Sequence, residues 1–395
     1  MKKKILQSQV VVVGLAIFSM LFGAGNLMFP LNVGLTSGGN VISSTLGFLI
    51  TAILLPLVGL IAIILFDGDY ERFFERAGKV PGRILIFVCM VVVGPMIGIP
   101  RIVNLSYTLV APFVPNVTLF VFSIIFLLIA FLGTVRESKI IDLLGYIISP
   151  VLLLSLGFIL VKGMFAPSCF SQATQTALAD FVKNMKYGFS TLDLLGTIFF
   201  GSIVLTIMKR NVKHATRSQL SRFAITGLKG GLIGSLLLAT IYVGLSFLGY
   251  RHGCAFCVVN EGILFREIAL QIVGIRHSIV VAIAVLMACF STAIALLAVV
   301  AEYIQRDVFK DKIGYIPSLI LVVIASLFPC NLDLDVILRF TVGPIASILY
   351  PVVIVLTFCN FAYKVIGVRS VKMPVLVTFL LATGIYLYKV FMHLI

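Results

Sequence analysis

Four residues in the first apolar stretch, Gly23-Ala24-Gly25-Asn26, place two glycines and a side-chain amide inside what would otherwise be an unbroken helix, with Phe29-Pro30 close behind. Glycine lowers helix propensity by about 1 kcal/mol relative to alanine. Unwinding there would expose backbone N–H and C=O groups that lipid cannot satisfy. A zwitterionic substrate would satisfy them, its carboxylate facing the half-helix that resumes at Leu27. The alternative is close helix packing by small residues. Asp193 is the one acid deep within an apolar span. An acid in lipid is costly and marks function by default, although it could also cap a half-helix. Arg101, following Gly94-Pro95 and Pro100, is a second charge inside the apolar spans. Arg101 and Asp193 could form a gate or a structural ion pair. Ala288-Cys289-Phe290-Ser291-Thr292 offers two adjacent hydroxyls with a carbonyl one turn earlier. That oxygen set suits a small monovalent cation, most simply Na⁺, rather than calcium, which takes a carboxylate-rich cage. Ser and Thr in membrane helices also back-bond to their own helix.

The elements that must position these residues are membrane helices. Of the 395 residues, 61% are hydrophobic and 11% charged, with mean hydropathy +1.17. Ordinary soluble domains carry about 25% charged residues. Apolar runs of spanning length recur along the chain, and strand-like alternation is absent. We read helices at 10–35, 41–66, 84–110, 117–135, 140–164, 188–208, 222–249, 278–303, 314–329, 335–360 and 373–393. The first follows Lys2-Lys3-Lys4 and reaches Leu35 without a small-residue cleavage site, so it is read as a retained span rather than a signal peptide.

Charge orients the spans. With the N-terminus inside and 335–360 taken as one helix, the outside loops hold only Lys183, Lys186, Arg251, Arg266 and Arg276. The inside loops hold the clusters around Arg72, Arg136, Lys209, Arg306 and Arg369. The positive-inside bias therefore favours eleven spans in a bacterial inner membrane, with a cytoplasmic N-terminus and an external C-terminus. The same bias accounts for the net charge of +15 without nucleic acid.

The first and sixth spans are both interrupted, the sixth at Asp193-Leu194-Leu195-Gly196-Thr197. The fifth and tenth each start beside an acid, Asp142 or Asp335, and hold a proline, Pro150 or Pro344. The offset is five, an odd number, so the second copy enters from the opposite side. That is the inverted repeat of many secondary transporters. The expected repeats cover 10–164 and 188–360, with an extra helix at 373–393, in one all-α transporter domain. Gly227 with Gly231, and Gly230 with Gly234, are read as packing patterns. The four histidines are placed in loops or at the C-terminus and make no metal-ligand spacing. Cys254-x-x-Cys257 falls in an external loop, where a disulfide or redox motif is open. An enzyme would need convergent titratable groups, and the spans offer no histidine and no carboxylate pair. A channel would show a ring of charges or a repeated filter loop. No G-x-x-x-x-G-K-[ST] supports an ATP-driven pump. No cofactor and no obligate protein partner is expected.

The run from Phe18 through Gly23-Ala24-Gly25-Asn26 to Pro30 closely resembles the first helix of the BrnQ-type branched-chain amino acid:cation symporters. Gly94-Pro95, Pro100-Arg101, Leu192 to Gly196 and Ala288 to Thr292 resemble that family at the same relative places. The resemblance covers about residues 8 to 360. It implies the LeuT-like fold of five-plus-five inverted repeats, here with one additional C-terminal helix, where the family usually carries a twelfth. It further implies a sodium site from the carbonyls of Ser19, Phe22 and Ala288 and the hydroxyls of Ser291 and Thr292. The substrate carboxylate would be held around Ala24, Gly25 and Asn26, and its amine around Leu192, Asp193, Gly196 and Thr197. Ile102-Val103-Asn104 and Thr108 depart from the family pattern on the third span, which lines the pocket in this fold. The implied activity is sodium-coupled import of leucine, isoleucine, valine and methionine, with a proton-coupled amino acid or amine carrier of the same fold as the alternative.

Overall fold

The computed structural model describes residues 2–23, 25–113, 115–170, 175–210, 217–253, 261–274, 278–332, 336–337 and 341–394. All secondary structure among them is helical. The first span consists of α1 (Lys2–Leu21) and α2 (Gly25–Ser37), and Gly38 then turns the chain at φ 51°. A positive φ just past a helix is where glycine carries no Cβ penalty. Next come α3 (Val41–Leu49), α4 (Leu55–Leu65), the short α5 (Tyr70–Glu75), α6 (Lys79–Val91), α7 (Gly98–Val110) and α8 (Leu119–Thr134). The Asp69 carboxylate caps α5 by accepting from Arg72 N–H at 3.0 Å. The third span, read from sequence as 84–110, is broken between α6 and α7 at Gly94-Pro95, where Gly94 has φ −90° and ψ −113°.

The chain continues through α9 (Ile140–Asp142), α10 (Ser149–Phe165), α11 (Ala177–Tyr187) and α12 (Asp193–Arg210). It ends with α13 (Arg217–His252), α14 (Glu261–Val273), α15 (Ser278–Tyr303), α16 (Tyr315–Leu327), α17 (Tyr350–Ile366) and α18 (Lys372–Leu394). Helices α5, α11 and α14 fall where the sequence reading had loops, because they are short and lie between spans. The fifth and tenth spans share a further feature. Each has a stretch of wide π-helical turns, Leu143–Ile148 and Thr341–Leu349, with Pro150 and Pro351 directly after it; Pro344 lies inside the second stretch.

Among the described residues, seven helical segments are long and apolar enough to cross a bilayer, or eight with the pair Ala177–Thr191 and Asp193–Lys209, bent by 41°. Three shorter apolar helices, Gln9–Leu21, Leu119–Thr134 and Tyr315–Asn331, fall below that length. Breaks and short turns divide the chain unevenly, and Gly25–Leu65 passes the length test as one 41-residue segment although Gly38 turns the chain within it.

Helix α13 is the main partner of α1 and α2. A Cβ at Gly234 would meet the carbonyl of Gly14 at 3.0 Å, and one at Gly34 would collide with the backbone of Ser246. These positions need glycine because two backbones touch, as the small-residue patterns suggested. His252 lies buried at the end of α13, in hydrogen-bond contact with the Gly163 carbonyl at 2.9 Å, rather than in a loop. Outward faces such as Leu128, Ile129 and Leu132 are exposed, as lipid contact requires. Cys169 is disulfide-bonded, while Cys254 and Cys257 lie outside the described residues.

Candidate functional site

The first span stops at Leu21. Phe22 N–H still donates to Phe18 O at 2.8 Å, and Gly23 N–H turns back to Leu21 O at 2.9 Å. Ala24 lies outside the described residues. Gly25 opens α2, and Asn26 covers the break. Its backbone N–H donates to Gly23 O at 3.1 Å and its side-chain amide donates to Leu21 O at 3.0 Å. A carbonyl orphaned at a helix end is thus satisfied from within the protein.

The sixth span breaks without glycine. A 3₁₀ turn over Gly188–Thr191 leads into Leu192 at φ 61°, ψ 17°, and α12 then starts at Asp193. A left-handed conformation costs a leucine about 1–2 kcal/mol, and strain of this kind clusters at functional sites. Asp193 N–H donates to Thr191 Oγ1 at 3.4 Å, and Leu194 N–H donates to the Tyr350 hydroxyl at 3.3 Å. The Leu192 carbonyl accepts from the N–H groups of Leu195 and Gly196 at 3.1 and 3.3 Å. Gly196 and Thr197 therefore sit inside the resumed helix. The Thr197 hydroxyl bonds back to the carbonyls of Asp193 and Leu194 at 3.0 and 2.9 Å.

The two breaks face each other. Asn26 Nδ2 donates to Asp193 Oδ2 at 3.0 Å, with Oδ1 at 3.3 Å. From α13, the buried Tyr242 hydroxyl donates to Asp193 Oδ2 at 3.2 Å and is itself hydrogen-bonded to Asn26 Nδ2. Asp193 thereby joins the first, sixth and seventh spans. Nothing beyond a tyrosine hydroxyl in mid-span marked Tyr242 in the sequence.

Between the breaks lies a cavity of about 80 Å³. Gly23, Gly25 and Asn26 of the first span and Leu192, Asp193 and Gly196 of the sixth line it, whereas Thr197 does not. Arg101 and Thr292 reach it from the third and eighth spans. The rest of its wall includes Ile102, one of the third-span departures from the family pattern, and Val93, Ile97 and Leu296, which sequence reasoning did not single out. Arg101 is buried. Its Nη1 donates to Ser190 O at 3.1 Å, and its guanidinium carbon stands 4.9 Å from the centre of the Phe29 ring.

Beside the cavity, the Thr292 hydroxyl lies 3.5 Å from the carbonyl oxygen of Ser19 and packs against Gly23. The Ser291 hydroxyl donates instead to Ala288 O at 2.9 Å within its own helix, and the Ser19 hydroxyl to Ala16 O at 3.1 Å. The structure therefore brings Ser19 and Thr292 together and leaves Ser291 and Ala288 facing each other. The donors are all neutral oxygens, which suits a hard monovalent cation. Among the described residues, no three His, Cys, Asp or Glu side chains gather as a metal site.

A second polar cluster lies at the basic end of the bundle. The Tyr70 hydroxyl donates to Asp307 Oδ2 at 2.5 Å, Arg306 pairs with Glu302 at 2.7 Å, and Lys209 donates to Asp67 O at 2.5 Å. Partial burial pushes the Glu71 carboxyl up to about 7, with the neighbouring Asp307 carboxylate adding to the shift. Asp67, Tyr70, Glu71, Lys209, Arg306 and Asp307 line a cleft of about 630 Å³. They escaped the sequence reading because loop charges far apart in the chain carry no spacing signal.

Two broken helices facing one another across a cavity in a helical bundle are the arrangement of the LeuT-like fold. Solved structures agree on the fold. MHP1, a nucleobase-cation-symport-1 family transporter, superimposes with a TM-score of 0.58 at 14% identity, covering 94% of this chain and 91% of that one. The Eremococcus coleocola manganese transporter gives 0.55 at 14% identity, covering 97% and 86%. The chain belongs to the branched-chain amino acid transport protein family, whose model matches residues 6–393. It is 31% identical to the branched-chain amino acid permease BraB of Bacillus subtilis, over 98% of this chain and 86% of that protein. The permease BrnQ of the same organism is 28% identical, over 92% and 83%. The protein is a multi-pass membrane transporter and not an enzyme.

Proposed function

We propose that the protein imports leucine, isoleucine and valine, with methionine as a further substrate, together with Na⁺ and by alternating access. Family membership and the permease names of its relatives support the substrate class. The observation that carries the reading is the mostly apolar cavity held between two broken helices. The backbone of Ala24, Gly25 and Asn26 and the turn from Leu192 to Gly196 serve the charged part of an amino acid, with Thr197 in support. One methylene in such a pocket is worth only about 1–3 kcal/mol, so methionine fits alongside leucine.

In this reading sodium binds between the first and eighth spans, on Ser19, Phe22, Ala288, Ser291 and Thr292. The approach of Thr292 to the Ser19 carbonyl supports this site. The last carbonyls of α1 are also the negative end of a half-helix. The proton-coupled alternative draws on the burial of Asp193. In this reading the repeats are 10–164 and 188–360, eleven spans cross the bacterial inner membrane, and the basic end with the N-terminus is cytoplasmic. The disulfide at Cys169, on the opposite side in this topology, agrees with an oxidising exterior.

Leucine uptake into proteoliposomes under imposed sodium or pH gradients tests the reading. Thr292→Ala should raise the sodium concentration for half-maximal uptake at least about tenfold, equivalent to about 1.4 kcal/mol. Ser291→Ala should raise it less, since that hydroxyl already bonds its own helix. Unchanged sodium dependence in the double variant sinks the sodium site. Uptake that follows pH, with the dependence lost in Asp193→Asn, puts the proton-coupled carrier in its place.

A further inference from the structure

We propose that Arg101 receives the carboxylate of the transported amino acid while Asp193, lining the same cavity, receives its ammonium group, so that the two together select a zwitterion. The inference rests on the substrate reading above and deepens it. Arg101 is the one cation and Asp193 the one anion among the residues that line the cavity. Both are only 6% exposed. The two carry opposite charges in an otherwise mostly apolar wall. A free amino acid has the matching charge pattern.

The position of Arg101 is set from three directions. Its Nη1 donates to Ser190 O on the turn that leads into the sixth-span break. Its guanidinium lies over Phe29, one turn into α2. Its Nη2 rests against Gly25, where a Cβ would collide with it and would lie 3.2 Å from Cζ. Gly25 therefore does more than loosen the helix: it admits a guanidinium to the start of α2. A planar fork held in a fixed plane matches a carboxylate, and a lysine ammonium would not match it in the same way. Asp193 accepts from Asn26 and Tyr242. A carboxylate has about four acceptor positions, so an ammonium donor can be added to these two.

The test is competition against labelled leucine uptake in proteoliposomes of the full chain, with sodium and pH gradients both imposed so that the coupling ion does not enter. Leucinamide keeps the amine and lacks the carboxylate. 4-Methylpentanoate keeps the carboxylate and lacks the amine. In the wild type both should compete at least about 100-fold more weakly than leucine, because a site built to bond a group rejects analogues without it. In Arg101→Gln the half-saturating leucine concentration should rise at least about 30-fold, and the leucinamide-to-leucine ratio should fall below about 10. Arg101→Lys keeps the charge and serves where the glutamine variant does not reconstitute. It should weaken leucine about tenfold and leave leucinamide unchanged. A wild-type ratio retained in either variant, whatever its transport rate, overturns the proposal and leaves Arg101 a structural residue. Wild-type uptake of no branched-chain amino acid would instead overturn the substrate reading, and this proposal with it.

Discussion

Two tyrosine–aspartate hydrogen bonds among the described residues, one at the heart of the bundle and one at its basic end, differ in what surrounds the acid. Asp193 is met by hydrogen-bond donors from two other spans, Asn26 and Tyr242. Asp307 is met by Tyr70 and also by another acid, Glu71. The inner acid is held by donors, and the outer acids repel. A carboxylate in the interior is tolerated only when donors converge on it. At the surface, water relaxes that demand, and a pair of acids can persist. The inner cluster therefore holds one geometry around a cavity, whereas the outer one responds to protons.

Removing each acid tests this contrast most severely. Asp193→Ala takes the acceptor from the Tyr242 hydroxyl in the interior, while Asn26 Nδ2 keeps Leu21 O, and a stranded buried donor costs about 1–3 kcal/mol. Leucine uptake should fall at least about 100-fold, equivalent to about 2.7 kcal/mol. Asp307→Ala leaves Tyr70 to water and should change uptake less than about threefold. Equal losses in the two variants would erase the distinction between the regions.

The tyrosines sharpen it. Tyr242→Phe removes one hydrogen bond to a buried carboxylate, worth about 1.5–3 kcal/mol, so kcat/KM for leucine should drop about tenfold or more. Tyr70→Phe should leave kcat/KM within about twofold, because its partner stays hydrated. A larger effect at Tyr70 than at Tyr242 would mean that the basic end, rather than the cavity, limits transport.

How much of this was legible follows the same division. A lone acid in an apolar run stands out, so Asp193 was read at once, as were the glycines of the first-span break. The sixth-span break was placed too late, over Asp193 to Thr197, because its turning residue is Leu192. Leucine carries no signal for a left-handed conformation, and the surrounding packing imposes it. Tyr242 and the wall of Val93, Ile97 and Leu296 were not singled out for a related reason: in a chain that is 61% hydrophobic, a pocket wall looks like any other helix face. The helical class and the span order were plain from hydropathy, but the division into long and short helices depends on breaks that only packing reveals.

The smallest expected effect is the proton response of Glu71. Its carboxyl is pushed up to about 7 in the folded protein by partial burial and by Asp307 beside it. Unfolded, it titrates near the ordinary glutamate value of about 4.3. Between these values the folded state holds a proton that the unfolded state has lost. The contribution of Glu71 to stability is therefore fully present below about pH 4.3 and is lost as pH rises through about 7. Glutamine imitates the protonated form at every pH. The melting temperature of Glu71→Gln should match the wild type near pH 5 and exceed it at pH 8. Because Glu71 is exposed on one side, solvent screening holds the effect below about 1 kcal/mol. That corresponds to about 2 °C for a chain of this size. Melting curves of both proteins across that range in one detergent measure the gap directly. A gap that is constant with pH, or that opens on the acid side, would show that Glu71 and Asp307 do not share a proton, and the basic end would then resemble the interior after all.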